Sequence, residues 1–281
     1  MIDDGSTDGS IETIADIGDN RLRIICQANA GKPAVLNYAI SIMQGAYFVV
    51  QDADDLSYPT RIAEMVYCMQ HHENIGMLFT GFDLILNGKH VAPKSSPLSV
   101  AACKNLIDQF EMPGHDPTAM IKANVAKEFL FNPELRIAEG LDFILRVGEK
   151  YPIMRLGRCL YSYRISFSSL TRGNVEKRKT FVRAVVGNAY QRRNLPIPHL
   201  FDPSEDRLAV RAGSVQDYDN NIAAHFMDSV IDQRREGYFI SAIYTGLQCA
   251  SLHPLVLHYQ KALIYSILPM KCIGWIRSRK N

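Results

Sequence analysis

Short apolar runs and stretches of helical periodicity alternate along the first part of the chain. Residues 46–50 form an apolar, β-branched and aromatic run, which is typical of a buried strand. A shorter apolar run at 22–26 predicts another strand. Apolar side chains also recur at helical spacing, at 35–43 and at 62–69. This alternation predicts an α/β fold, in which helices cover a parallel or mixed sheet.

Turn signals divide the remainder of the chain. Asn87-Gly88 lies between two apolar runs and predicts a β-hairpin. A helix is predicted at 137–150 and an alternating strand at 159–165. Three prolines between 194 and 203 then predict a domain boundary, because proline interrupts regular structure. The apolar spacing beyond them predicts a small helical appendage, with helices at 220–235, 238–251 and 255–268.

The first residues of the sequence form an unusual beginning for a sheet. Residues 3–10 are rich in turn-forming and helix-capping side chains, and Ile11, Ile14 and Ile17 behind them predict a helix. Residues 2–4 resemble the end of a strand whose body should precede them. We therefore expect the natural chain to start further upstream, and the chain from Met1 alone to be poorly stable and a poor enzyme.

Composition and charge are those of a soluble globular protein. The formal net charge of +2 over 281 residues argues against a nucleic-acid binder. The six cysteines include no C-x-x-C pair, which predicts reduced thiols rather than a zinc site or a disulfide framework. The sequence contains no secretory signal and no apolar run that would span a bilayer. A cytoplasmic location is expected.

The apolar run at 46–50 ends at three carboxylates in four residues, Asp52, Asp54 and Asp55. Open α/β sheets bind ligands beyond the carboxyl ends of their strands, where these acids are expected to lie. Crowded carboxylates repel one another unless a cation neutralises them, and Mg²⁺ or Mn²⁺ suits oxygen ligands of this kind. A solvated acidic turn is the alternative interpretation. An EF-hand loop is excluded, because residues 57 and 63 are Ser and Ala where Gly and Glu are needed.

Four segments follow one another in a fixed order. They are Asp3-Asp4-Gly5-Ser6-Thr7-Asp8, Asn29-Ala30-Gly31-Lys32, Asp52-Ala53-Asp54-Asp55 and Glu139-Gly140-Leu141-Asp142. Together they resemble the family 2 glycosyltransferases of the GT-A fold, which use nucleotide-diphosphate sugars. The resemblance continues through Tyr163-Arg164 to Ser169-Leu170-Thr171. It implies a GT-A (Rossmann-like) mixed sheet flanked by helices at 1–193, without the family's first strand and helix, and a helical C-terminal region at 194–281.

The resemblance also implies roles for particular residues. Asp4 matches the acid that meets the uracil ring in the family, and Lys32 lies where a cation would assist nucleotide or phosphate binding. Asp52 and Asp54 match the DxD pair, in which the first acid lies near the donor's ribose or sugar. The second acid binds the metal, so Asp54 is the expected ligand of Mg²⁺ or Mn²⁺. For Lys32, an ordinary surface lysine is the alternative.

The fourth motif departs from the family. Relatives usually carry Glu-Asp, in which the Asp is the general base that deprotonates the acceptor hydroxyl, but this chain has Glu139-Gly140. Either Glu139 or Asp142 replaces the base, or the acceptor reacts without one, or the protein is no longer an efficient transferase. His115 and Arg146 are expected on the acceptor side. The structural alternatives are a packing role for His115 and an ion pair of Arg146 with Glu139.

These features predict an inverting, metal-dependent glycosyltransferase. It would move a sugar from a UDP-sugar to a glycan or lipid-linked acceptor, with bacterial surface-polysaccharide synthesis as the usual setting of such relatives. One rival is a non-catalytic GT-A relative that binds nucleotide weakly or acts as a partner protein, and a second is a nucleotidyltransferase. The basic C-terminal segment around Lys271 and Arg277 predicts a peripheral contact with the inner face of an anionic membrane, with a solvated tail as the alternative.

Overall fold

The computed structural model describes residues 1–165, 175–201 and 215–273. Two features singled out in the sequence lie outside these residues. One is the family segment Ser169-Leu170-Thr171, and the other is the basic end of the chain beyond Lys271, with Arg277, Arg279 and Lys280.

Two sheets form the centre of the described structure. Strands β1 (Ile2–Asp3) and β2 (Ile25–Cys26) pair in parallel as a two-stranded sheet. A six-stranded sheet contains β3 (Tyr47–Val49), β4 (Leu56–Ser57), β5 (Met77–Leu86), β6 (Lys89–Lys94), β7 (Met120–Lys122) and β8 (Ile153–Arg164). Its order is β3-β7-β5-β8-β4, and β6 pairs with β5. Strand β5 runs parallel to β8 and antiparallel to β7, so the sheet is mixed as predicted.

Helices flank the sheet and continue beyond it. They are α1 (Lys32–Ile42), α2 (Arg61–His71), α3 (Val100–Asp108), α4 (Ala123–Glu128), α5 (Glu139–Lys150), α6 (Val175–Arg192), α7 (Val215–Arg235), α8 (Phe239–Leu252) and α9 (Leu257–Ile267). Short 3₁₀ turns occur at Asp116–Thr118 and His199–Phe201. No helix of the described residues combines the length and the apolar character needed to cross a bilayer. The α/β fold class predicted from the sequence is confirmed.

Local signals correctly located several of these elements. The hairpin of β5 and β6 turns at Asn87 and Gly88, whose φ angles of 49° and 73° give the left-handed backbone that this turn requires. The helix predicted from Ile11 onward is wrong, since residues 10–16 form turns with Ile14 N–H bonded to the Ile11 carbonyl. Ile17 is 53% exposed, so this segment lacks the apolar packing that stabilises a helix.

The main core lies between the sheet and the helices that carry the site. Phe143, Ile144 and Leu145 of α5 are buried in the same cluster as Phe79 of β5 and Ile40 of α1. Burial of side chains this large anchors the two helices, at roughly 1.5–3 kcal/mol for each side chain. The first turns of α1 and α5 are thereby fixed relative to the sheet.

The C-terminal helices pack on the β5–β6 hairpin. In α7, His225 Nε2 lies 2.9 Å from the Ala92 carbonyl oxygen, and Ser229 Oγ donates to the Pro93 carbonyl at 2.6 Å. Lys94 pairs with Asp228 at 3.1 Å. Residues of β5, β6, α7, α8 and α9 also share an apolar cluster. The helical region predicted after residue 194 is thus joined to the sheet by both polar and apolar contacts.

Candidate active site

The acidic loop begins where β3 ends. Asp52 is half-buried, Asp54 is exposed and Asp55 is buried. A turn closes the loop, because the Asp55 N–H donates to the Asp52 carbonyl oxygen at 3.2 Å. The three carboxylates therefore lie in different surroundings although they are at most three residues apart in the sequence. Only the first two are open to a ligand.

Asp55 is held by the neighbouring strand β8. Tyr161 Oη donates to its Oδ2 at 2.8 Å, and the Arg164 N–H donates to its Oδ1 at 2.7 Å. Burial raises the pKa of Asp55, and these two hydrogen bonds partly offset the shift. Arg164 Nε also donates to the Asp54 carbonyl oxygen at 2.7 Å. Asp55 thus secures the loop, while Asp54 presents its carboxylate to solvent.

A buried arginine joins the acidic loop to the opposite wall of the site. Arg61 is 1% exposed and stacks over the Tyr161 ring, with its Cζ 4.6 Å from the ring centroid. Its guanidinium donates to the Val50 carbonyl at 3.4 Å and to the Pro117 carbonyl at 2.5 Å. It also donates to Ser57 Oγ at 2.9 Å. The Arg61 side chain therefore connects the acidic loop to the 3₁₀ turn at Asp116–Thr118.

Lys32 stands at the first position of α1 and faces the acids. Its Nζ lies 3.0 Å from Asp52 Oδ1. Enclosure by the cleft lowers the pKa of Lys32, but attraction to Asp116, Asp52 and Glu139 outweighs that effect and holds the pKa above its ordinary value. Lys32 is therefore protonated at neutral pH, and it brings one positive charge among three carboxylates.

Asp4 organises the loop that leads into Lys32. Its Oδ1 accepts hydrogen bonds from the Ala30 N–H at 2.8 Å and from Gln27 Nε2 at 2.9 Å, and its Oδ2 accepts one from the Gly31 N–H at 2.8 Å. Burial acts to raise the pKa of Asp4, but these hydrogen bonds outweigh it and lower the pKa. The two segments that the sequence predicts to bind nucleotide thus meet in the fold.

The start of α5 carries two carboxylates in different situations. Glu139 lines the cleft, and burial raises its pKa while the attraction of Lys32 partly offsets the rise. Asp142 is 5% exposed and pairs with Arg146, whose Nη2 lies 2.8 Å from Asp142 Oδ2. Arg192 Nη1 lies 3.8 Å from the other Asp142 oxygen. Arg146 therefore neutralises Asp142, and of the two carboxylates Glu139 is the one that faces the cleft.

Asp116 is a site residue that the sequence analysis missed. It lines an open cleft together with Lys32, Glu139 and Gly140, over a largely apolar floor. It comes from the 3₁₀ turn before β7, opposite the first turn of α5. The only sequence signal was its position beside His115, which the resemblance already placed on the acceptor side.

His115 packs against aromatic rings next to this turn. Its ring lies 5.0 Å from that of Phe82 and 4.9 Å from that of Tyr163, between centroids. Burial lowers the pKa of His115, so the imidazole is neutral at pH 7. Its Nδ1 lies 3.4 Å from Asp116 Oδ1, and Nε2 is buried without a hydrogen-bond partner. His115 therefore supports the Asp116 turn.

The donor set at the acidic loop fits a hard divalent ion bound together with a diphosphate. The described residues contain no group of three His, Cys, Asp or Glu side chains arranged to hold a metal by themselves. Mg²⁺ is typically held by one or two carboxylates plus phosphate oxygens and water. Asp54, with its exposed carboxylate, and Asp52 beside it supply such a pair.

Comparison with known proteins agrees with this geometry. The family model described as Glycosyl transferase family 2 matches residues 1–129. An uncharacterized glycosyltransferase of Methanocaldococcus jannaschii, MJ1057, is 23% identical over 158 residues, which are 55% of this chain and 54% of the relative. The succinoglycan biosynthesis protein ExoU of Rhizobium meliloti is 39% identical over 69 residues, which are 24% of this chain and 20% of that protein. The chain thus spans about half the length of the first relative.

A solved structure shares the architecture over most of the chain. The crystal structure of S. aureus TarS 1-349 in complex with UDP-GlcNAc superposes with a TM-score of 0.55 at 16% identity. The match covers 94% of this chain and 78% of TarS 1-349. At this identity the likeness establishes the fold. The chain thus resembles family 2 glycosyltransferases over residues 1–129, and it shares the overall architecture of TarS 1-349.

Proposed function

We propose that the protein transfers a sugar, with inversion, from a UDP-sugar to a hydroxyl of a glycan or a lipid-linked acceptor. The observation that carries this proposal is the acidic loop beyond β3, where Asp52 pairs with Lys32, a residue that lines the cleft, within the residues that the family 2 glycosyltransferase model matches. Lys32 supplies a fixed positive charge for a diphosphate. The uridine choice is supported by the TarS structure, which contains UDP-GlcNAc.

We assign the donor side to Asp4, Lys32, Asp52 and Asp54. Asp54 would hold Mg²⁺ or Mn²⁺ with help from Asp52, and the bound ion would stabilise negative charge on the departing diphosphate. Asp4 holds the segment 27–31 through three hydrogen bonds, so a uracil ring beside it would meet a fixed wall. Lys32 would contact the phosphates from the start of α1. The four side chains come from three segments of the chain, and Lys32 is the one that lines the cleft.

The acceptor side lies at α5 and the 3₁₀ turn. Inverting transfer requires a carboxylate that takes the proton of the attacking hydroxyl from the face opposite the leaving UDP. Three carboxylates stand near this side, and Asp142 is the one that arginines neutralise. Glu139 and Asp116 both line the cleft. Ala138, directly before Glu139, has a φ of 66°, a strained value for a residue with a Cβ and one that concentrates at functional sites.

Binding of UDP tests the donor side directly. Isothermal titration calorimetry with UDP should detect binding in the presence of Mn²⁺ and little or none without it. Asp54→Ala should abolish the metal-dependent part, whereas Asp19→Ala, which removes an exposed acid paired with Arg21, should bind like the parent. Equal Mn²⁺-dependent affinity in Asp54→Ala and the parent would show that the loop is not the metal site.

The setting in surface-polysaccharide synthesis is supported by the ExoU match, whose protein is named for succinoglycan biosynthesis. A peripheral membrane contact would suit a lipid-linked acceptor. It is supported by exposed apolar side chains on α8 and α9, where Ile240 is 85%, Leu247 52% and Leu257 70% exposed. Flotation with anionic liposomes should carry more of the full chain than of a chain ending at Pro269. Equal flotation of the two would remove the role of the C-terminal segment.

A further inference from the structure

The first turn of α5 contains a gap that another segment fills. Gly140 is buried, and a Cβ placed on it would lie 2.6 Å from Asp116 Oδ2 and 2.9 Å from Asp116 Cβ. Real Cβ atoms essentially never approach other atoms within 3.0 Å. The carboxyl of Asp116 thus occupies the volume that a side chain at position 140 would take. Gly140 and Asp116 are complementary to each other.

Asp116 also faces the charges of the donor side. It lines the cleft with Lys32 and Glu139, and it contributes to the raised pKa of Lys32. Arg61 donates a hydrogen bond to the carbonyl of the next residue, Pro117, so the turn is tied to the acidic loop. A neutral His115 supports the turn from behind. The Asp116 carboxylate is therefore anchored through its backbone, while its side chain is 31% exposed and open to a ligand.

We propose that Asp116 is the general base of the transfer, acting from the 3₁₀ turn across the gap left by Gly140. The inference rests on the proposed function. An Asp116 carboxylate oxygen takes the proton of the acceptor hydroxyl as that oxygen bonds to C1 of the donor sugar. The bond between C1 and the diphosphate oxygen breaks, and UDP departs with the electron pair. Gly140 supplies no carboxylate, and Asp116 provides the base of the cleft in its place.

Hydrolysis of the donor tests this assignment without knowledge of the acceptor, because water must be deprotonated in the same way. UDP release is measured with Mn²⁺ and with UDP-glucose, UDP-galactose or UDP-N-acetylglucosamine, using whichever donor turns over fastest. Asp116→Asn keeps the side-chain volume and should lower kcat by about 10²–10⁴-fold with an unchanged donor Kd. Glu139→Gln should lower kcat by less than about tenfold, which is below the usual contribution of a general base. Asp108→Asn removes an exposed helix carboxylate and should match the parent.

An exchange of the two positions sharpens the test. Gly140→Asp alone should not raise turnover, because its Cβ meets Asp116. Asp116→Gly with Gly140→Asp should recover at least about tenfold over Asp116→Gly, a part of the usual general-base contribution, since removal of the Asp116 Cβ leaves room for a carboxylate to fill the same volume from α5. Thermal unfolding of every variant verifies folding.

Two results would overturn the assignment. They are parent-like turnover in Asp116→Asn, or a double variant no better than Asp116→Gly. A parent that neither binds UDP nor releases it from any donor would instead overturn the proposed function itself, and with it the role of Asp116.

Discussion

The acidic loop at 52–55 and the start of α5 at 139–142 follow the same plan. Each contains a carboxylate that attracts Lys32, Asp52 in the first and Glu139 in the second, and each ends three residues later in a buried carboxylate. The buried one is bonded in both segments: Asp55 by Tyr161 and the Arg164 backbone, and Asp142 by Arg146. In each segment one acid therefore secures the element and another remains available for chemistry.

The difference between the two segments lies in what bonds the buried acid. Asp55 accepts from a neutral hydroxyl and a backbone N–H, so these two partners bring no positive charge to the loop. Asp142 is matched by an arginine cation. The buried acid of the loop therefore receives less compensating charge from its hydrogen-bond partners than the buried acid of α5 does. Carboxylates spaced alike in sequence acquire different roles through their partners.

The largest expected effect distinguishes the buried, bonded acids, such as Asp142, from the exposed acid Asp54. Asp142→Ala should reduce the free energy of unfolding by about 2–4 kcal/mol, because Arg146 is left half-buried without its carboxylate. Asp54→Ala should leave stability unchanged or slightly raised, since it relieves carboxylate repulsion. Urea denaturation followed by circular dichroism measures both changes.

Asp108→Ala is the matched control for this comparison. It removes the acid of another i,i+4 pair, with Lys104, whose two side chains are each 54% exposed. Its expected cost is at most about 0.5 kcal/mol. A loss for Asp142→Ala no larger than that of Asp108→Ala would contradict the structural role of Asp142.

A smaller loss of stability is expected when Asp55, the buried acid of the loop, loses one hydrogen bond. Tyr161→Phe should reduce stability by about 1–3 kcal/mol, because Asp55 Oδ2 loses its hydroxyl donor in a buried setting. The aromatic ring under Arg61 is kept, so the change reports the hydrogen bond. Tyr67→Phe, at a side chain that is 64% exposed, should have no measurable effect in the same urea titration. Similar results for the two tyrosines would mean that the loop is secured elsewhere.

The smallest effect should depend on pH. Burial raises the pKa of Glu139 in the folded protein, so between its ordinary value and the raised one the folded state binds more protons than the unfolded state. Stability contributed by protonated Glu139 is present at low pH and is lost as pH rises through that window. Glu139→Gln should therefore gain stability relative to the parent as pH rises from 4 to 7, with a plateau above the window.

Melting temperatures at several pH values measure this gain. Glu134→Gln, at an exposed position, controls for the loss of a negative charge. A difference between Glu139→Gln and the parent that stays constant over the whole pH range would contradict the raised pKa of Glu139.

Elements with local signals were predictable from the sequence. The strand before Asp52 and the Asn87-Gly88 hairpin depend on residues adjacent in the chain, and both occur as predicted. Helix α6 was not predicted, because its sequence is rich in charged residues and has only a weak apolar face. The helix predicted from Ile11 does not form for the opposite reason. Its apolar residues have helical spacing, but Ile17 is exposed and the segment is not packed on the core.

The residues of the candidate site could be predicted only in part from the sequence. Motifs singled out Asp4, Lys32 and Asp52, and in the structure Asp4 bonds to the backbone of Ala30 while Lys32 bonds to Asp52, through hydrogen bonds that no local pattern encodes. The gap at Gly140 was visible in the sequence, but what fills it was not. Asp116 meets Gly140 only because a turn and a helix remote in sequence pack together.

Arg61 has a consequence for redesign by loop exchange. Its guanidinium binds carbonyls on both walls of the cleft, at Val50 and Pro117, and so acts as a spacer of fixed length between donor and acceptor sides. A loop at 52–55 taken from a relative would bring new contacts with the donor, but the distance between the two walls would still be set by Arg61. Exchanges aimed at donor preference should therefore carry residues 50–61 as one cassette and keep Pro117 unchanged, so that the spacer and both of its anchors remain matched.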